Sequence, residues 1–236
     1  MTNPLITKLR TVADLSDDDC RAVEALCSTK RKISKNQDIV SEGETPQFVF
    51  ILLEGWAARY TILPDGSRQI TGILIPGDLC ETGATILRQI DHSIVALAPV
   101  VVACVWRPAL IGLTRERPNL VHAFWWASLV DEAVLRTWIV NIGRRDAHTR
   151  IAHLLCELHA RMKRVGLAEG GKLGLLLTQD ELADAVGLTA VHTNRVLQRL
   201  RAEGLITWRQ GTLTIDGERL AKAAGFNPGY LHTAVL

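Results

Sequence analysis

The sequence predicts an α+β protein: an N-terminal antiparallel β-roll, jelly-roll-like, a long central dimerisation helix, and a C-terminal winged helix-turn-helix. Three observations carry this reading. Gly43, Gly55, Gly66 and Gly77 recur every 11 or 12 residues between short apolar runs. Residues 118–142 contain no glycine and no proline after Pro118. Residues 177–206 alternate capped helical patterns around one glycine. The expected organisation is a roll at 1–117, the long helix at 118–142, a hinge at 143–146 and a winged helix at 147–236.

The roll follows a short acidic helix expected over Val12 to Cys27, with Asp14, Asp17, Asp18 and Asp19 near its start. Candidate strands are Phe48–Leu53, Arg59–Leu63, Ile70–Ile75, Ser93–Leu97 and Val100–Trp106, rich in β-branched and aromatic residues. The turns Glu42-Gly43-Glu44, Glu54-Gly55, Pro64-Asp65-Gly66-Ser67 and Pro76-Gly77-Asp78 mark antiparallel hairpins. His92 is the only histidine before residue 122, so no metal-binding enzyme barrel is expected.

In the long helix, Ser128, Glu132 and Arg136 form one narrow polar stripe and apolar residues cover most of the rest. Such an arc is too wide for one contact. It predicts burial on two sides, one against the chain's own roll and one against a second copy, through Leu120, Phe124, Ala127, Val134 and Trp138. The competing reading is a core helix of a monomer. After Gly143-Arg144-Arg145, Asp146 caps a further helix from Ala147 to about Arg164. Arg144 and Arg145 can approach a phosphate or complement the preceding helix end.

The sharpest motif is LTQDELADAVGLTAVHTNRVLQRLRAEGLI at 177–206. Thr178 and Glu181 form a capping box, Gly187 makes the turn, and Thr189 caps a second helix whose inward face is Val196, Leu197 and Leu200. Val191, Asn194, Arg195 and Gln198 share the outward face at i, i+3, i+4 and i+7. Arg195 suits guanine, Asn194 adenine and Val191 a thymine methyl, while Thr178, Gln179, Thr189, His192 and Arg199 are placed to hold phosphates. A hairpin, Gly204–Trp208, turn Arg209-Gln210-Gly211, then Thr212–Ile215, reads as a wing.

Composition agrees with a globular chain. With 236 residues, 47% hydrophobic and 22% charged, disorder is excluded. Net charge is +2, divided as −2 over 1–142 and +4 over 143–236, a weak footprint for double-stranded DNA. Five scattered cysteines without a C-x-x-C pair fit reduced thiols. No run of about 18 apolar residues and no signal pattern is present, so a cytoplasmic protein with no membrane partner is expected. His153, Cys156 and His159 are spaced poorly for a metal, and Trp125, Trp126 and Trp138 read as packing residues.

With EGE at 42–44, EGW at 54–56, PDG at 64–66, PGDL at 76–79, RDAHTRIAHLL at 145–155 and the helix-turn-helix in this order, nearly the whole chain resembles the Crp/Fnr family of bacterial transcription regulators. The resemblance implies a homodimer whose roll senses a signal, whose paired recognition helices read a palindromic site, and which meets RNA polymerase. Where the family's cyclic-AMP sensors have Gly-Glu and Arg-Ser, this chain has Glu81-Thr82 and His92-Ser93, and Leu135 stands at the adenine-facing position. A neutral imidazole replaces a guanidinium fork poorly on phosphate. Cyclic AMP is therefore disfavoured, and any other effector would meet Thr82, His92, Ser93 and Leu135. His92 reads equally as a hydrogen-bonded strand-end histidine. Cys20 and Cys27 stand alone, so no iron-sulfur cluster is expected and no cofactor is assigned. Val191 replaces a glutamate common in the family, so the half-site should differ. Two rival readings stay open beside this one: a regulator active without any effector, and a ligand-binding module whose winged helix contacts protein. A catalyst in the roll ranks last, since no nucleophile–base pair can be named.

Overall fold

The computed structural model describes residues 3–81, 83–209 and 211–232, without the side chain of Ala84. Packing divides these residues into two units. The first runs to Thr61 and includes Gly72–Asp131; the second comprises Ile62–Thr71 and the residues from Glu132 onward.

The first unit begins with α1 (Pro4–Leu9) and α2 (Asp17–Leu26). The expected single helix from Val12 is thus shorter, because Ser16 and Asp19 form a capping box that starts it at Asp17. Seven strands follow: β1 (Lys30–Ile33), β2 (Asp38–Val40), β3 (Phe48–Glu54), β4 (Ala57–Ile62), β5 (Arg68–Leu74), β6 (Ser93–Ala96) and β7 (Val100–Trp106). They form two sheets, β1-β7-β3 and β2-β6-β4-β5; β1 and β3 pair antiparallel with β7, and β2 and β4 pair antiparallel with β6. Ile33, Val49, Ile51 and Val102 of one sheet share a core with Ile39, Ile94, Ala57 and Ala96 of the other. That shared interior is the roll the glycine rhythm predicts.

Two of those glycines are required by close approach as well as by positive φ. A Cβ on Gly55 would lie 2.5 Å from the Pro99 carbonyl oxygen, and one on Gly77 would lie 2.7 Å from that of Pro4. Removing the side chain at Gly77 lets α1 lie against the turn before Asp78. There Lys8 Nζ meets Asp78 Oδ1 at 2.7 Å, and Asp78 Oδ2 accepts from the Ile75 amide. Both side chains are buried, so the pair is held by mutual neutralisation in a low-dielectric interior.

Next come α3 (Arg107–Glu116) and α4 (Pro118–Arg144). The long helix extends two residues past its expected end, since a single Gly143 costs about 1 kcal/mol, too little to end it. Only Arg145 and Asp146 break the helical run. The face assignment needs a larger correction. Leu120, Ala127, Val134 and Trp138 are buried within their own chain, and Phe124 is half-buried against the roll core. The exposed face carries Trp125, Leu129, Glu132, Arg136, Ile139 and Gly143, so it runs along the polar stripe and not opposite it.

The second unit contains α5 (Ala147–Arg164), β8 (Ala168–Glu169), β9 (Lys172–Gly174), α6 (Gln179–Val186), α7 (Ala190–Ala202), β10 (Ile206–Arg209), β11 (Thr212–Ile215) and α8 (Gly217–Ala224). The expected wing hairpin pairs Ile206 with Ile215 and Arg209 with Thr212; Gln210 of its turn lies outside the described residues. A short hairpin, β8–β9, extends it to four strands in the order β10-β11-β9-β8.

Replacing Asp78 with Ala should destabilise the fold by about 3–5 kcal/mol, because it strands a buried ammonium. Urea unfolding checks this, and a loss under about 1 kcal/mol would show that water reaches Lys8.

Candidate nucleic-acid interface

Local chemistry fixes the helix-turn-helix before any partner is considered. Thr178 Oγ1 accepts from the Glu181 amide at 3.1 Å while the Thr178 amide donates to Glu181 Oε2 at 2.7 Å. Gly187 ends α6 with φ +64°, a left-handed cap that costs a glycine nothing. Thr189 then caps α7 by accepting from the His192 amide at 3.2 Å. Val196, Leu197 and Leu200 are buried on the inward side, as the period of the sequence requires.

The outward side is free for contact. Val191 is 72% exposed, and Asn194, Arg195 and Gln198 are exposed beside it. None of these three polar side chains makes a hydrogen bond among the described residues, so their donors and acceptors are not spent within the fold. Thr178, Gln179, Thr189 and His192 are likewise exposed. Arg199 is exposed but engaged, with Nε 2.8 Å from Glu203 Oε1, and a phosphate would have to compete with that carboxylate. His148 Nε2 approaches the other oxygen of Glu203 at 2.8 Å. Arg199 first, then His148, holds the Glu203 carboxyl below its ordinary range.

A residue the sequence reading did not single out holds this motif in place. Arg150 Nη1 donates to the Val186 carbonyl at 2.7 Å, and its Nη2 donates to those of Ile142 at 2.8 Å and Arg145 at 3.1 Å. One guanidinium thus ties the end of α4, the break after it and the turn between α6 and α7. From the Ile62–Thr71 segment, Arg68 meets Asp184 Oδ2 at 2.8 Å and Gln69 Nε2 donates to the Asp184 carbonyl at 2.7 Å. Arg150 lies in the quoted RDAHTRIAHLL run, but nothing in its spacing marks three carbonyls as its partners.

Behind the motif, Glu157 is buried and accepts from Trp138 Nε1 at 3.1 Å and from the Tyr230 hydroxyl at 2.8 Å. This accounts for the burial of Trp138, which a second copy cannot reach. Burial pushes the Glu157 carboxyl up. His153 stacks near Tyr230 and meets Phe226 edge-on; burial, with Arg145 adding to it, depresses its imidazole to about 4. Cys156 is also buried, and its thiol is pushed up to about 12, so the His153/Cys156/His159 run is packing. Among the described residues no group of three or more His, Cys, Asp or Glu is placed to hold a metal ion, and no helix is long and apolar enough to cross a membrane.

With this geometry in view, residues 149–223 match the Crp-like helix-turn-helix domain and residues 30–117 match the cyclic nucleotide-binding domain. The chain belongs to the Crp/Fnr family. It is a transcription regulator with a helix-turn-helix DNA-binding domain. It is 26% identical over 200 residues to the transcriptional activator protein FnrL of Cereibacter sphaeroides, covering 83% of this chain and 80% of that one. It is 27% identical to the nitrogen fixation regulation protein FixK of Bradyrhizobium diazoefficiens, covering 88% and 87%. The structure of FixK2 from Bradyrhizobium japonicum superposes with a TM-score of 0.73 at 24% identity, covering 83% of this chain and 96% of that one, a likeness of fold.

The residues named for an effector are Thr82, His92, Ser93 and Leu135. Thr82 lies outside the described residues. His92 is drawn to carboxylates, Nε2 lying 3.1 Å from Glu81 and Nδ1 2.8 Å from Asp91, which is the strand-end reading. Ser93 Oγ accepts from the Glu42 amide at 3.0 Å. Leu135, in the second unit, is 40% exposed. Arg59, also unmarked in the sequence reading, reaches from β4 to the Leu79 and Cys80 carbonyls and lies 3.2 Å from Asp131 of α4.

The depressed imidazole gives a pH prediction. An unfolded His153 takes its proton near pH 6.5 and the folded one only near 4, so its stabilisation is complete above 6.5 and is lost as pH falls between those values. His153→Leu should flatten the stability profile in that window by up to about 1.4 kcal/mol per pH unit. Urea midpoints at pH 4.5, 5.5 and 7 measure it; parallel profiles for the two proteins would contradict it. Gly187→Ala should cost about 1–2 kcal/mol, the penalty of an L side chain in the left-handed region, and thermal unfolding reads it directly.

Proposed function

We propose that the protein works as a homodimer that reads a two-fold symmetric duplex and does so without a cyclic nucleotide. The observation that carries the reading is the uncommitted Asn194, Arg195, Gln198 and Val191 face of α7, presented by a helix whose caps, turn and anchor are all internally satisfied. Trp125, Leu129, Glu132, Arg136, Ile139 and Gly143 follow alternating steps of four and three residues, the spacing of a coiled-coil seam. Trp125 and Ile139, each 72% exposed, supply apolar area for a second copy of α4. Glu132 and Arg136, paired on one helix, fall mid-seam and favour a single register. Arg144 lies exposed at the end of α4, and either a phosphate contact or a helix-end role suits it.

Two contacts support independence from cyclic nucleotides. His92, which by resemblance stands where a guanidinium would hold the cyclic phosphate, lies instead 3.1 Å from the Glu81 carboxylate. Arg59 joins the Leu79–Cys80 segment to Asp131 by a charge already built into the chain. The roll acts as a sensor or a brace and not as a catalyst. Transcriptional activation is the outcome carried over from relatives such as FnrL, named as a transcriptional activator, and contact with RNA polymerase in the cytoplasm is what the family resemblance implies.

Selection from a random duplex library with purified protein and no added small molecule tests the reading. Palindromes with half-site centres about 10 base pairs apart are expected. Arg195→Ala should cost about 1–3 kcal/mol and relax preference at one base pair of each half-site. No enrichment, or an unchanged preference in the variant, contradicts the assignment. Ile139→Glu should convert the dimer to monomer in sedimentation equilibrium and weaken palindrome binding at least tenfold, and a dimer of unchanged affinity would place the seam elsewhere.

A further inference from the structure

We infer that the first unit carries a binding site for a neutral, mainly apolar small molecule, in the cleft between the segment after β5, α3 and the N-terminal half of α4. The inference deepens the regulator reading by naming the chemistry of an effector, and rests on that reading only for its consequence on DNA binding. The cleft encloses about 540 Å³, within the range of small-molecule sites. Leu79 and Ile86 form one wall, Ile111 and Thr114 of α3 a second, and Phe124 and Ser128 of α4 the third.

The lining decides the ligand class. None of the described lining residues is charged. The hydroxyls of the two helices are spent on their own backbones, Thr114 Oγ1 donating to the Ile111 carbonyl at 2.9 Å and Ser128 Oγ to the Phe124 carbonyl at 3.2 Å. An anion or a cyclic nucleotide would lose its hydration there with no charged partner in return. An apolar molecule loses nothing and covers Ile86, which stands 82% exposed at the mouth. The wall bearing Ile86 is held in place, since Arg107 Nη2 donates to the Thr85 carbonyl at 3.0 Å.

Position gives such a ligand a way to act. It would touch Leu79, whose carbonyl Arg59 holds, and Ser128, one helical turn before the Asp131 that pairs with Arg59. It would therefore bear on both elements that this arginine joins. Trp125 belongs to the mouth of the cleft and also to the proposed α4 seam, so the ligand would sit at the edge of the dimer contact.

The test titrates the full-length protein with N-phenyl-1-naphthylamine, a neutral aromatic probe that brightens in apolar sites. One saturable site per chain is expected, with Thr114→Trp and Ile111→Trp each weakening it at least tenfold by filling the cleft, in variants whose melting temperatures confirm folding. Absence of saturable binding, or equal binding by wild type and both filled variants, overturns the inference. Probe release as protein concentration is raised also overturns it, because the cleft is then the seat of a second copy. A parallel titration with a palindromic duplex keeps the two readings apart. Probe binding without DNA binding removes the regulator reading and leaves the site; DNA binding without probe binding does the reverse.

Discussion

The place of the recognition helix depends on one guanidinium. Arg150 satisfies the Ile142, Arg145 and Val186 carbonyls at once, so the end of α4 and the turn of the helix-turn-helix share a single planar donor. A lysine offers one compact charge where Arg150 offers a rigid fork, and could not reproduce the three-way geometry. Beneath that contact, the buried Glu157 collects the Trp138 indole and the Tyr230 hydroxyl, fastening α4 to α5 and to the C-terminal turn. The exposed face of α7 can remain chemically idle because these internal partners position it. A reading surface must keep its donors unspent until DNA arrives, and stability therefore has to come from groups elsewhere.

The first unit shows the same division of labour. Its charges lie where they join elements: Lys8 with Asp78 under α1, Arg117 with Asp18 and Asp19 at the start of α2, and Arg59 with Asp131 between roll and long helix. Arg117, chiefly through its hydrogen bond, holds Asp18 below the ordinary carboxylate range; at Asp19 the Ser16 cap acts first and Arg117 second. The cleft beside α3 and α4 lacks such charges among its described residues. An uncharged lining of this kind suits an apolar molecule better than a phosphate.

The parts of the fold that were legible in the sequence are those whose causes are local. Glycine turns, the capping box at Thr178, the left-handed Gly187 and the outward quartet of α7 follow from residues within a few positions of one another, and each appears where the pattern puts it. The long helix was legible as a helix but not in its orientation. Apolar residues surround most of α4, and periodicity alone does not say which of them belong to the chain's own core. Along the polar stripe, Glu132 and Arg136 are exposed together with the apolar Trp125, Leu129 and Ile139 beside them. Trp138 read as a contact for a second copy because its indole partner, Glu157, lies on another helix. Arg59 and Arg150 were silent for the same reason: each acts through carbonyls or carboxylates far away in sequence, and backbone acceptors leave no trace in composition.

In the proposed dimer, two α7 helices are held one DNA turn apart by a pair of α4 helices. Equilibrium binding to a series of duplexes, with the selected half-sites set 10, 12, 15 and 20 base pairs apart, measures it most directly. Binding should be tightest at about 10 base pairs and fall steeply at 15, where the second half-site turns to the opposite side of the duplex. Equal affinity at every spacing would mean that the chains bind as independent monomers, and would contradict this arrangement.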